Sequence, residues 1–283
     1  RIRYRADTVG WRGDAFRHLF IVDAQTGETR QLTNGEGDHS SPRWSPDGSR
    51  IAFVSDRARD RDLVPHTDAY VLPAAGGTPE RWSRGLSSVD AITWSPDGRR
   101  LAVTGSDDDE VGAGWQGWVF VLEPAKVLLR LTDDSIKPSA GYAPLIPPPE
   151  IAWTEEGRIV FLADCHGESY MYEVEVDGGT QQRIAGGGSQ LSGATFDGKT
   201  RSAVALSVPP TSSGHLRLFD IPQGSQRALT DYNAGYFKEH PPATLEKFTV
   251  SRAGASIESR LFLPPSFEST RQYPLIVDIH GGP

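Results

Sequence analysis

The stretch Trp44-Ser45-Pro46-Asp47-Gly48 recurs 50 residues later as Trp94-Ser95-Pro96-Asp97-Gly98. Weaker copies follow at Trp153-Thr154-Glu155-Glu156-Gly157 and Thr195-Phe196-Asp197-Gly198. Proline presets φ near the value that a type I turn requires, aspartate tolerates the next position, and glycine closes the turn. Each copy therefore predicts a hairpin connection, and the large flat aromatic residue before it is suited to filling the space between two packed sheets.

Each copy lies in a similar surrounding sequence. A short apolar run comes first, followed by a turn and a second segment that ends in a characteristic pair of residues. A loop and the aromatic turn come next. The unit ends in an alternating run such as Arg50-Ile51-Ala52-Phe53-Val54. The apolar runs are 19–22, 69–72, 118–122, 171–176 and 216–221. The pairs are Leu32-Thr33, Trp82-Ser83, Leu131-Thr132, Ile184-Ala185 and Leu229-Thr230. Every repeat therefore reads as up to four short strands.

Repeated four-stranded units of about 40 to 50 residues are typical of a β-propeller. The 30 glycines and 21 prolines agree with a chain of many short elements and turns. We count four units plus the opening strands of a fifth after Gly214, and residues 1–17 read as the tail of an earlier unit. The sequence thus predicts an all-β propeller of about five blades over residues 1–240, incomplete and truncated at its front, from a ring of seven or eight blades.

After Asp231 the repeat stops, and residues 232–244 read as a linker. Residues 245–250 and 257–263 then predict a hairpin across Arg252-Ala253-Gly254-Ala255. Near the end, residues 275–279 are almost continuously apolar, which is typical of a strand buried on both faces of a mixed or parallel sheet. We expect residues 241–283 to hold the linker and first strands of a second, truncated domain.

These features together resemble the prolyl oligopeptidase family of serine peptidases, in particular its acylaminoacyl peptidase branch. The resemblance rests on the propeller repeats, the hairpin crossover, Pro264-Pro265, and the final strand that runs into His280-Gly281-Gly282-Pro283. It implies that the second domain is an α/β-hydrolase domain. It also implies that His280, Gly281, Gly282 and Pro283 form an oxyanion-hole loop in which the Gly282 N–H is a donor. Losing one such donor typically costs about 3–4 kcal/mol; the alternative is a plain glycine turn after a strand.

The chain lacks the nucleophile of that family. A hydrolase of this type carries its serine in a Gly-x-Ser-x-Gly elbow, and the nearest frame here, Gly187-Gly188-Ser189-Gln190-Leu191, fails at its last position. The resemblance therefore implies that the serine, aspartate and histidine of the triad lie beyond Pro283. We expect the chain alone to be inactive.

The same resemblance implies a cytoplasmic parent peptidase that hydrolyses short peptides through an acyl-enzyme. Its propeller would admit only short or unfolded chains to the active site, and its partners would be short peptides and the remaining hydrolase domain. The alternative is a non-enzymatic, TolB-like propeller that acts as a protein-interaction scaffold. Exposed blade edges on an unclosed ring would also invite pairing with another copy, giving a homo-oligomer.

Composition argues against several other classes of function. Net charge is -8, with basic residues spread along the chain, so no basic stripe for nucleic acid is visible. No apolar run approaches the roughly 18 residues of a membrane helix. Cys165 is the single cysteine and cannot form an internal disulfide, which favours a reducing compartment.

We predict no cofactor and no metal. The run Gly112-Ala113-Gly114-Trp115-Gln116-Gly117 matches a dinucleotide fingerprint literally, but a strand rather than a helix follows it. Asp107-Asp108-Asp109-Glu110 lacks the spacing of a calcium loop and reads as a solvated loop. Cys165-His166 reads as structural, since neighbouring residues on a strand point to opposite faces. The seven histidines show no metal-ligand spacing.

Overall fold

The structure, a computed structural model, describes residues 15–57, 66–108, 117–138, 151–177 and 179–279. The chain divides into two compact units. The first comprises Arg1–Pro209 and Gly214–Thr230, and the second comprises Pro210–Ser213 and Asp231–Pro283.

The described part of the first unit contains a two-stranded pair followed by four antiparallel sheets, here called blades 1 to 4. The pair is β1 (Phe20–Val22) and β2 (Thr29–Gln31). Blade 1 contains β3 (His39–Trp44), β4 (Arg50–Ser55), β5 (Asp68–Pro73) and β6 (Glu80–Arg81). Blade 2 contains β7 (Ser88–Trp94), β8 (Leu101–Ser106), β9 (Trp118–Glu123) and β10 (Lys126–Arg130). Blade 3 contains β11 (Lys137–Pro138), β12 (Ala152–Trp153), β13 (Arg158–Cys165), β14 (Glu168–Glu175) and β15 (Gln182–Gly186). Blade 4 contains β16 (Gln190–Asp197), β17 (Ser202–Val208), β18 (His215–Asp220) and β19 (Ser225–Ala228).

Successive strands pair within each blade, and in blade 3 the first strand is split into β11 and β12, which both pair with β13. The predicted all-β propeller fold is confirmed. The apolar cores lie between successive blades: one joins blades 1 and 2, one joins blades 2 and 3, and one joins blades 3 and 4. A smaller core joins the β1–β2 pair to blade 1. Both faces of a blade are therefore covered only when it has a neighbour on each side.

The blades begin at a different point from the repeats that we counted in the sequence. Each blade starts at the strand that carries the aromatic residue, so it joins the second half of one sequence unit to the first half of the next. Residues 215–228, which we read as opening a fifth unit, are β18 and β19 at the outer side of blade 4. A periodic sequence has no intrinsic starting point, and hydrogen bonding between strands decides the grouping.

The predicted turn chemistry is confirmed in atomic detail. The Gly48 N–H donates to the Ser45 carbonyl (2.9 Å), and Gly48 has a φ of 70°, which glycine adopts without strain. The Ser45 hydroxyl donates to Asp47 Oδ1 (2.6 Å), and the Ser49 N–H donates to the same oxygen (3.0 Å). These hydrogen bonds lower the pKa of Asp47 to about 2. Blade 2 repeats the arrangement with Ser95, Asp97 and Gly98.

The Leu-Thr pairs tie the outer strand of a blade to its neighbour. In blade 2 the Leu131 N–H donates to the Val119 carbonyl (2.8 Å), and the Thr132 hydroxyl accepts from the Val119 N–H (2.9 Å). The backbone N–H and carbonyl of Val119 are therefore both hydrogen-bonded to the pair Leu131-Thr132. The same two bonds join Leu32-Thr33 to Leu19, Trp82-Ser83 to Ala69, and Leu229-Thr230 to Leu216. In blade 3 the predicted pair Ile184-Ala185 is wrong, because both residues lie inside β15; there the Gly187 N–H donates to the Ser169 carbonyl (3.0 Å), and the Ser189 carbonyl accepts from the Ser169 N–H (2.9 Å).

Replacing Thr132 with valine is expected to lower the free energy of unfolding by about 1–3 kcal/mol, because the buried Val119 N–H would lose its acceptor. Thr132→Ser is the matched control, since it keeps the hydroxyl as Ser83 does in blade 1. Urea unfolding of the two variants measures the difference. If Thr132→Val loses no more stability than Thr132→Ser, the hydrogen bond to Val119 does not carry the expected effect.

The second unit contains a short helix and a hairpin. Helix α1 (Ala234–Glu239) lies within residues 232–244, which the sequence indicates to be a linker. The predicted hairpin is confirmed as β20 (Thr244–Arg252) and β21 (Ala255–Leu263). Its two turn residues, Ala253 and Gly254, both have positive φ (49° and 81°), which matches the twist of a two-residue hairpin turn. Among the described residues, no helix is long and apolar enough to span a membrane.

The predicted strand over residues 275–279 is not formed. Leu275 and Ile276 are 75% and 90% exposed, and no strand pairs with this run in the part of the chain that the structure describes. A buried strand needs neighbours that satisfy its backbone groups and cover its side chains. The second unit supplies one hairpin, so its described residues do not show an α/β-hydrolase sheet.

Candidate functional site

The predicted oxyanion-hole residues His280, Gly281, Gly282 and Pro283 lie outside the described residues, and their role stays a prediction. Most of the Gly112–Gly117 run and half of Asp107–Glu110 lie outside them as well. In the described ranges, no group of three or more His, Cys, Asp or Glu side chains could hold a metal ion.

Cys165 and His166 lie at the tip of a hairpin. Cys165 ends β13 opposite Glu168, and the connecting residues His166 and Gly167 both have positive φ (52° and 67°). A guanidinium nitrogen of Arg183 lies 4.0 Å from the Cys165 sulfur. His166 lies in the two-residue turn rather than on the strand, and the structural role of this pair stays a prediction.

The first strands of the four blades share a feature that sequence reasoning missed. In each of them the hydrogen-bond ladder to the second strand breaks near its middle. The extra residues are Ser41-Pro42 in blade 1, Asp90 in blade 2 and Gly193-Ala194 in blade 4. Proline and glycine inside a strand are the available sequence signals for such bulges.

Asp90 is the titratable group among the extra residues of blades 1, 2 and 4. It is the extra residue of its bulge, and its neighbours Val89 and Ala91 belong to the cores on opposite faces of blade 2. Burial raises the pKa of Asp90 to about 6, and no hydrogen bond or ion pair from the described residues opposes this shift. A carboxyl group held in this way is costly to ionise and titrates close to neutral pH.

Replacing Asp90 with asparagine is expected to stabilise the protein at pH 7.5 by about 2–3 kcal/mol, the equivalent of a shift of roughly two pKa units. The folded-state pKa is raised, so the folded form binds the proton more tightly, and stability is lost as the pH rises from about 4 through 6. At pH 4 the advantage of asparagine should shrink below about 1 kcal/mol. Urea unfolding at both pH values measures this change; a pH-independent difference would contradict the titration.

Arginine and tryptophan fill two of the interfaces between blades. The Arg50 guanidinium of blade 1 lies over the Trp94 ring of blade 2 (4.8 Å to its centroid) and donates to the Gly98 carbonyl (2.6 Å). The Arg100 guanidinium of blade 2 lies over the Trp153 ring of blade 3 in the same way (5.3 Å). Because each arginine directly follows its turn and each tryptophan precedes one, the repeat builds the same contact twice.

The interface between blades 3 and 4 is built differently. Phe196 takes the place of the tryptophan, and Arg158 pairs within blade 3 with Glu173 (2.7 Å) and Glu175 (3.3 Å). Arg201 of blade 4 reaches back to Glu173 (2.8 Å) and to Glu156 (3.1 Å). The Glu173 side chain is only 3% exposed and also accepts a hydrogen bond from Gln182. One buried carboxylate therefore joins the two blades.

Comparison with known proteins agrees with this architecture. Residues 4–58 match the family described as the dipeptidyl peptidase IV (DPP IV) N-terminal region. The chain is 26% identical over 297 residues to the uncharacterized peptidase YuxL of Bacillus subtilis (strain 168), an alignment that covers 100% of this chain and 44% of YuxL.

Among solved structures, a puromycin-hydrolyzing peptidase of Mycobacterium tuberculosis superimposes with a TM-score of 0.56 at 17% identity, over 86% of this chain and 37% of that one. A putative TolB from Agrobacterium tumefaciens superimposes with a TM-score of 0.58 at 19% identity, over 76% of this chain and 74% of that one. At these identities the two likenesses show the fold alone.

The blades and their repeated interfaces define a β-propeller domain. Its sequence is similar to the dipeptidyl peptidase IV N-terminal region over residues 4–58 and to a peptidase over the full length of the chain, which is a likeness to the propeller portion of prolyl oligopeptidase-family proteins. The chain spans less than half of the length of YuxL, the curated relative that it matches from end to end.

Proposed function

We propose that this chain is the substrate-gating propeller portion of a serine peptidase that resembles acylaminoacyl peptidases. The whole protein would hydrolyse short peptides through an acyl-enzyme. The observation that carries the proposal is the alignment with a peptidase over the full length of the chain. That alignment therefore includes the hairpin β20–β21 and the run into His280-Gly281-Gly282-Pro283, which a propeller scaffold would not need.

In this proposal the chain contributes two things to catalysis. The N–H of Gly282 would donate to the oxyanion of the tetrahedral intermediate, where a preorganised donor is worth about 3–4 kcal/mol. The propeller would restrict entry, because a folded substrate is too wide to pass a ring of packed blades. The serine nucleophile and its aspartate and histidine would come from the hydrolase domain, so the chain alone would be inactive. We also place the protein in the cytoplasm, in keeping with its single cysteine.

Two measurements on the whole protein test the proposal. A fluorophosphonate should label one serine outside residues 1–283, and short peptides should be turned over much faster than the same sequences within a folded protein. Absence of labelling would contradict the serine peptidase. Efficient cleavage of folded substrates would contradict gating while leaving the enzyme intact, so the two parts of the proposal fail separately.

The second candidate is a TolB-like interaction scaffold without catalysis. A stretch of 62 residues, which is 21% of this chain, is 40% identical to the Tol-Pal system protein TolB of Sphingopyxis alaskensis. This function predicts neither serine labelling nor peptide turnover by the whole protein. The fluorophosphonate experiment therefore separates the two candidates directly.

A further inference from the structure

A cavity of about 70 Å³ lies at the interface between blades 3 and 4. We call it the interblade crevice and define it by the apolar side chains of Trp153, Val160, Ile184, Phe196 and Ile221, together with Glu173 and Arg201, which also line it. Its volume is several times the roughly 10–15 Å³ that a cavity needs to hold one water molecule. Since an ordered buried water needs two to four polar partners, apolar walls favour an apolar occupant.

The crevice exists because two groups that fill the other interfaces are missing here. At the preceding interfaces a tryptophan ring lies under an arginine of the neighbouring blade, as Trp94 lies under Arg50. Here the smaller benzene ring of Phe196 replaces the indole. Arg158, which follows the turn as Arg50 does, is held away by Glu173 and Glu175. The space of an indole ring is therefore left partly empty.

A local irregularity in blade 3 shapes the opposite wall. Strand β14 pairs Met171 with Ala185 and Tyr172 with Arg183, so Ile184 is the extra residue of a bulge. Ile184 lines the crevice. Blade 2 has a bulge of the same kind between Val127 and Leu129 of β10, so the smaller ring of Phe196 and the pairing of Arg158 with Glu173 are what set the interface between blades 3 and 4 apart.

The charged groups at the crevice are already satisfied. Glu173 accepts from Arg158, Arg201 and Gln182, and Arg201 also pairs with Glu156. A charged ligand would have to break these bonds, whereas a neutral ring would leave them in place. A ring larger than the cavity can still enter by one edge, because Phe196 and Trp153 are only half-buried and the neighbouring Asp197 and Gly198 are exposed.

We propose that the interblade crevice binds a neutral, planar aromatic ring with the chemistry of indole. The ring comes either from a small molecule or from the tryptophan side chain of a peptide. One edge of the ring enters between Phe196 on one side and Trp153 and Ile184 on the other. There the ring takes the place of the tryptophan indole that packs at the other two interfaces. Aromatic pairs in such offset or edge-to-face arrangements contribute beyond the area that they bury.

Calorimetric titration of the intact protein with indole and with N-acetyl-tryptophanamide tests this proposal. We expect saturable one-site binding of indole with a dissociation constant in the millimolar range. Binding of both probes assigns the crevice to tryptophan side chains as well, and binding of indole alone assigns it to small molecules. Absence of saturable binding by indole overturns the proposal.

Two variants locate the binding. Phe196→Trp fills the crevice from within and should weaken indole binding at least tenfold. Ala152→Leu fills it from another wall and should do the same if Phe196→Trp does not fold. Phe248→Trp is the matched control, because it adds an indole at an exposed position of the second unit and should leave binding unchanged. Unchanged binding in a folded crevice variant overturns the assignment.

Discussion

Replacing Glu173 with glutamine is expected to lower the free energy of unfolding by about 3–5 kcal/mol, the usual cost of breaking a buried ion pair by removing one partner. Glu173 is 3% exposed and accepts from Arg158 in its own blade and from Arg201 in the next. Glutamine keeps the shape of the side chain but leaves both guanidinium groups without their buried anion. The loss should be visible in urea unfolding, with faster hydrogen exchange in β16 and β17.

The matched control is Glu175→Gln. Glu175 pairs with the same Arg158 at 3.3 Å, but its side chain is 58% exposed. Water screens a pair of this kind, so we expect a loss of less than about 1 kcal/mol. Similar losses from the two variants would show that Arg158 alone matters and that the bridge between blades 3 and 4 does not.

The second large effect is expected from the tryptophans of the repeated turn. Trp94→Ala should cost about 3–5 kcal/mol, because a large buried side chain leaves a cavity that the surroundings fill only in part. Trp94 is 6% exposed, packs edge-on against Trp82 (5.6 Å between centroids) and donates from Nε1 to the Arg43 carbonyl (3.0 Å).

Trp44 occupies the same position of the same motif but is 54% exposed. Trp44→Ala should therefore cost about 1 kcal/mol or less, since most of that ring is already in contact with water. Urea unfolding of both variants measures the comparison. Equal losses of stability from the two variants would contradict the larger contribution that burial gives to Trp94.

Local chemistry explains why much of the fold could be predicted. The turn at Ser45-Pro46-Asp47-Gly48 is stabilised by atoms within six residues of one another, and the Leu-Thr pairs use a hydroxyl next to the strand that they join. The hairpin at residues 244–263 is likewise set by alternation and a two-residue turn. Interactions of this range leave a readable pattern because residue type and spacing alone determine them.

The candidate site was harder to predict for the opposite reason. Phe196 reads in the sequence as a weak copy of a tryptophan, and nothing near it reports that Arg158 pairs with Glu173. The crevice depends on six strands of two blades, β12 to β15 in blade 3 and β16 and β17 in blade 4. The bulge at Asp90 depends on how β7 pairs with β8. The sequence around Asp90 does not show where the pairing skips one residue.

The sequence by itself determined the class of fold, the turns, the pairs that follow the last strands of blades 1, 2 and 4, and the family resemblance, because each depends on the spacing of particular residue types. Tertiary structure alone decided where each blade begins, which aromatic residues are buried, and where a carboxylate or a cavity lies between blades. It also left residues 275–279 without a strand, since an apolar run becomes a buried strand only when neighbouring strands hydrogen-bond to it and cover both of its faces.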